Sequence, residues 1–148
     1  MAKKISNHFM YNCVYAYLNG TTVKALAVAS NGAWDPGATD YNTLADISAN
    51  ITSHEFDGAN YARPTLSQTI TEDDTNDKAV LDYADATITS LSAGTNAIEG
   101  WIFYKDGATD ADREVILWSP YASAQTPNGN DFILKFPTAG LLEFEQAA

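Results

Sequence analysis

The chain has 148 residues, 45% of them apolar, with eight Tyr, six Phe and three Trp to supply large buried groups, so it is long enough for one hydrophobic core and is not a disordered segment. Nineteen acids against eight bases give a net charge of -11, and no cluster of Lys or Arg follows Lys3-Lys4, which excludes binding to nucleic acid through a basic surface. One cysteine, Cys13, allows no internal disulfide, and no apolar run approaches a membrane span or a signal peptide.

In chain order, Phe9, Met10, Cys13, Val14, Tyr17 and Leu18 recur at steps of one, three and four, which predicts an amphipathic helix over 6–18 lying on a sheet, with Ser6 as N-cap and Gly20 as the stop. Cys13 then reads as a small buried hydrophobe. Thr22 to Ala29 is short and apolar between Gly20 and Gly32, the pattern of a covered strand. A Gly/Pro loop, Trp34-Asp35-Pro36-Gly37, follows, and Thr39 or Asp40 is placed to cap a short helix with Tyr41, Leu44 and Ile47 on one face, with continued loop as the alternative for so few residues.

Beyond Ile51, short apolar runs alternate with Gly, Asn, Asp, Pro and Ser clusters about every 8–12 residues, the cadence of a β domain. The predicted strands are Ser53–Asp57, Ala62–Gln68, Ala79–Tyr83, Thr87–Leu91, Ile98–Tyr104, Glu114–Trp118, Asp131–Phe136 and Leu141–Glu145. Glu99 to Lys105 has apolar groups on both faces and reads as a central strand, whereas Leu142 and Phe144 alternate with Glu143 and Glu145 as in a strand with one wet face. No repeat or linker divides the chain. The fold class expected is mainly β, a two-sheet sandwich or barrel-like single domain over 1–148 with one N-terminal helix.

Patterns that carry chemistry are missing: no phosphate-binding loop, no nucleophile elbow, no zinc motif, and only His8 and His54 as histidines. No cofactor or metal is expected. Glu72-Asp73-Asp74-Thr75-Asn76-Asp77 crowds oxygen ligands, but an EF-hand counted from Asp73 has Lys78 where Gly is needed and Ala84 where Glu is needed. It reads as a hairpin turn, and Asp106, Asp110 and Asp112 read the same way. Trp101 and Trp118 fall in strands, where packing is their commoner fate; Trp34, in the loop, is the better exposed anchor. The candidate protein-interface residues are Phe9, Met10, Trp34 and Tyr41.

From Tyr61 to Gly140 the chain carries Tyr61-Ala62-Arg63, Asp73-Asp74-Thr75-Asn76-Asp77-Lys78-Ala79, Asp85-Ala86-Thr87, Tyr104-Lys105-Asp106-Gly107 and Asn128-Gly129-Asn130-Asp131-Phe132. In that order these resemble a recurrent small virion structural protein of tailed bacteriophages, with the helix and first strand upstream in the same order. The resemblance implies a non-catalytic virion part made in the host cytoplasm, and supplies no catalytic residues. Pro127 before Asn-Gly and a longer Trp34–Asp40 loop depart from the common pattern, so no contacts of those loops are carried over. The expectation is a capsid decoration, or cement, protein on the exterior of the shell, joining major capsid subunits, as a homo-oligomer with a trimer suggested by analogy. A tail or fibre component, a virion carbohydrate-binding module and, last, a small hydrolase are the alternatives.

Overall fold

The computed structural model describes residues 5–31, 42–47 and 54–145, and the expected Trp34 loop with Thr39, Asp40 and Tyr41 lies outside them. The fold is mainly β, with antiparallel sheets and one N-terminal helix, in keeping with the sandwich-like class expected. The chain gathers into two units, each built from separated segments: 1–21, 66–85 and 135–148 form the first, and 22–65 and 86–134 the second.

In the first unit, α1 (Asn7–Leu18) packs on a sheet whose order is β3 (Gln68–Asp73), β4 (Lys78–Tyr83), β9 (Leu142–Glu145). Antiparallel register pairs Gln68 with Tyr83, Ile70 with Leu81 and Glu72 with Ala79, and Leu81 and Ala79 in turn pair with Leu142 and Phe144. Because side chains alternate across a strand, these residues share one face, and α1 lies on it. Burial of Ala79, Leu81 and Tyr83 follows from that cover. The turn at 74–77 closes β3 to β4 as read from its composition: Asp73 Oδ1 accepts from the amides of Thr75 (3.0 Å) and Asn76 (3.1 Å), and Asp77 takes a left-handed φ of 53°.

The second unit is organised by β1 (Val23–Ala29) and β6 (Ile98–Lys105), which pair from Val23 with Lys105 to Ala29 with Ile98. Both are central, in the order β2 (Thr65–Leu66), β1, β6, β7 (Val115–Gln125), and only Lys24, Glu99 and Lys105 escape full burial. One face of this sheet contributes Leu26, Val28, Ile102 and Tyr104 to a core closed by Leu44 and Ile47. On the other, Trp101 meets Phe132 of a two-stranded sheet, β5 (Ala86–Ile88) with β8 (Phe132–Leu134). Gly100 is required where it stands: a Cβ there would lie 2.6 Å from the Ser119 carbonyl oxygen and 2.8 Å from Pro120 Cα across the β6–β7 pair.

Several boundaries differ from those the sequence predicts. Ser53–Asp57 forms no strand among the described residues and gives only a bridge from Glu55 to Val28. The run Ala62–Gln68 yields just the two residues of β2, while β3 begins at Gln68 and carries a single large apolar residue, Ile70. β7 continues through Pro120 to Gln125, because an edge strand tolerates a missing N–H. The helical turn at 44–47 is preceded by Thr43, whose amide donates to Asp46 Oδ2 at 2.8 Å and whose hydroxyl reaches the same oxygen at 3.2 Å, while the predicted caps Thr39 and Asp40 lie outside the described residues.

Candidate protein-interaction face

Helix α1 starts where Ser6 Oγ accepts from the Phe9 amide at 3.2 Å. It ends at Gly20, whose φ of 72° suits the chain reversal after a helix. The Leu18 carbonyl accepts from the Thr21 amide at 3.0 Å and from Thr21 Oγ1 and Gln68 Nε2, both at 2.6 Å. At the other end Asn7 Nδ2 donates to Asp74 Oδ1 at 2.8 Å, and His8 Nδ1 lies 3.0 Å from Glu72 Oε2. Bonding to Glu72, and then its charge, raises the His8 pKa above the ordinary 6.5.

These anchors fix which side of the helix meets the sheet. Met10, Tyr11 and Val14 are half-buried and Leu18 is buried, spaced on one face with Asn7. Phe9 and Tyr17 point elsewhere, at 61% and 43% exposure, and Cys13 is exposed, which corrects the expectation of a buried thiol and of one apolar face through 9, 13 and 17. With Ile5 (56%) and Tyr15 (40%), they make the outer side of α1 an apolar surface. From Ile5 to Val23 the chain has no Asp, Glu, Lys or Arg. Of the predicted interface residues, Phe9 lies on this outer side, Met10 faces the sheet, and Trp34 and Tyr41 lie outside the described residues. Tyr15, Tyr17 and Ile5 were missed, although all three are visible once the helix is seen to be apolar on two sides.

Elsewhere in each unit several bases are matched by acids. Lys24, Arg63, Lys78, Lys105 and Arg113 are each in ion pairs, with Asp106, Glu55, Glu143, Glu114 and Asp110 respectively among their partners. The Arg63 guanidinium reaches both Glu55 oxygens, at 2.8 and 2.7 Å, and lies over the buried Tyr104 ring. Bonding to Lys24 first, and to Arg113 as well, holds the Asp106 carboxyl below its ordinary 3.8. Asp112 instead caps its own turn through Thr109, so the Asp106–Asp112 segment combines ion pairing with turn chemistry. The sheet face of the first unit opposite α1 forms an open groove of about 640 Å³ lined by Thr69, Thr71, Asp73, Asp82 and Glu143. Among the described residues no group of three or more His, Cys, Asp or Glu is placed to hold a metal ion.

Trp101 is buried, its Nε1 donating to Tyr121 Oη at 2.8 Å, and Trp118 packs partly buried against the core. His54 is buried with Nδ1 2.6 Å from Asn31 Oδ1, and His8 is on the surface. No helix among the described residues is long and apolar enough to cross a membrane. Comparison with protein-family models, curated proteins and solved structures finds no match to this chain.

Proposed function

We propose that the protein is a non-catalytic structural component of a tailed-bacteriophage virion, a decoration protein on the outside of the capsid that binds the major capsid protein and other copies of itself. The observation that carries the reading is the pairing of an exposed, uncharged apolar helix face with an otherwise acidic surface. Exposed Phe and Tyr on one helix face suit association with protein, since aromatic groups anchor such contacts. The acid excess would oppose binding to packaged DNA, which favours the exterior. The ordered motifs of Tyr61 to Gly140 support the virion assignment, and a trimer remains the analogy for the assembled state.

Burial of Trp101 takes it out of any stacking platform for sugar, in line with its reading as a packing residue, while Trp34 lies outside the described residues. The tail or fibre assignment is the second reading, resting on the same motifs. The test is to compare particles with and without the protein for rupture by heat or osmotic shock and to image them by cryo-electron microscopy. Added density on the shell together with earlier rupture in its absence is expected. Density confined to the tail, with equally robust shells, would replace decoration by the tail reading.

A further inference from the structure

We infer that the outer face of α1 is a homotypic contact, on which a second copy of this chain docks its own α1 antiparallel about a two-fold axis level with Asn12 and Cys13. Phe9, Asn12, Cys13 and Ala16 follow the i, i+3, i+4, i+7 spacing of one helical face, and all four are exposed. Tyr15 and Tyr17 flank them. The row is self-complementary in size. With the axis between positions 12 and 13, Phe9 of one copy stands over Ala16 of the other, bordered by that copy's Cys13 and Tyr17, so the bulkiest group meets the smallest. Asn12 falls next to the axis, where a polar side chain can fix register.

Charge selects the occupant. Two chains at net -11 repel across most of their surfaces, and the stretch from Ile5 to Val23 is free of Asp, Glu, Lys and Arg, so here two copies approach without opposing acids. Glu72 and Asp74 stand at the N-terminus of the helix, whereas its last turn has no base of its own to offset the C-terminal end of the dipole. An antiparallel partner sets N-terminus against C-terminus and lets the two dipoles offset each other. A helix of 12 residues is about 18 Å long, and one such face falls short of the ~800 Å² per partner of a standard interface. The contact is therefore reversible and depends on concentration. It does not rest on the virion reading and holds or fails without it.

Sedimentation velocity of the full chain over a concentration series tests this directly. Wild type is expected to shift from monomer to dimer, Phe9→Asp to stay monomeric, and Ile133→Asp, which alters an exposed apolar group in the second unit, to behave as wild type. Circular dichroism checks that each variant is folded. A second measurement does not depend on Phe9→Asp folding: copper-phenanthroline oxidation should trap a Cys13-linked dimer of the wild type, because the two Cys13 then face each other across the contact with an offset along the helix axis of only about one residue rise. Phe9→Cys combined with Cys13→Ser should give no cross-link, since antiparallel helices hold the two copies of position 9 about 10 Å apart along the axis. A wild type monomeric at every concentration, a dimer that survives in folded Phe9→Asp, or a cross-link at position 9 in the last variant would each overturn the proposal.

Discussion

The two units solve the same problem, covering a sheet, with different materials. In the second, β1 and β6 are apolar on both faces and closed in by Leu44, Ile47, Phe132 and Trp118, and half-buried ion pairs tie the loops around them. In the first, one short helix covers one sheet face, buries only Leu18 fully, and is located by polar contacts at its two ends. The second buries its apolar strands on both faces; the first leaves part of its helix's apolar surface exposed. Ile5, Phe9 and Cys13 on the outer side of α1 are exposed, so their truncation is expected to cost the fold little.

The sharpest way to break that contrast is truncation. Trp101→Ala should cost about 3–5 kcal/mol, because the indole is buried against Phe132 and its loss leaves a cavity as well as an unpaired Tyr121 hydroxyl. Phe9→Ala should change stability by no more than ~0.5 kcal/mol, as expected for an exposed side chain. Urea unfolding followed by tryptophan fluorescence compares them. Equal losses would mean that the outer face of α1 is packed as a core and the contrast is false.

The ion pairs come next. Arg63→Met leaves the Glu55 carboxylate, about three-quarters buried, without its two-pronged partner, and a loss of about 1–3 kcal/mol is expected. Adding Glu55→Gln to it should restore part of the loss, since the penalty comes from the stranded charge and not from the missing pair. If the double variant is simply additive, the pair acts as two independent side chains.

How much of this could be read in advance divides along the same line. β1, β4 and β6 were legible because burial on one or both faces writes itself into the residue pattern, as in Ala79, Leu81 and Tyr83 or the run from Ile98 to Tyr104. The turn at 74–77 was legible because Asp and Asn bond their own backbone. β3 was hidden: Gln68, Thr69, Thr71, Glu72 and Asp73 surround one isoleucine, and the strand is held by pairing to β4, an interaction set by register and not by composition. The outward face of α1 was hidden for the opposite reason. Phe9, Met10, Tyr11, Cys13, Val14, Tyr15, Tyr17 and Leu18 are apolar all round the helix, so periodicity allows either side to face inward, and Asn7, His8 and Gln68 decide the matter through bonds that no spacing rule foretells. The ion pairs of Arg63 with Glu55 and Arg113 with Asp106 were equally invisible, joining loops through the fold.

A smaller effect probes the helix end. Gln68→Ala removes the side-chain amide that meets the Leu18 carbonyl, and about 0.5–1.5 kcal/mol should be lost, with fraying of the last turn of α1. Amide hydrogen exchange would register this as faster exchange at Leu18 and its neighbours with β6 unaffected. Faster exchange throughout β6 would show that the second unit draws on the helix for its stability.

The smallest expected effect concerns pH and the other end of α1. His8 is at the surface, its Nδ1 3.0 Å from Glu72 with Asp74 close by, and bonding to Glu72 raises its pKa in the folded chain. A raised folded pKa means that protonation favours the folded state, so the contribution is complete below the ordinary value of 6.5 and is lost as pH rises through the folded value. The carboxylates work in the other direction. Asp73, bonded to Asn76, and Asp106, bonded to Lys24 and Arg113, have depressed pKa values, so what they contribute is present above the ordinary 3.8 and disappears only as pH falls through the depressed values. Between those limits, above 3.8 and below 6.5, both kinds of contact are intact. The expectation is that wild type and His8→Gln differ most in melting temperature within this window and converge in alkaline solution, the difference being small because the ring is largely in water. An NMR titration of the two histidine rings separates the residues. A His8 midpoint at or below 6.5, or a melting difference that grows with rising pH, would mean that the helix start is held by Asn7 and Asp74 without help from the His8–Glu72 contact.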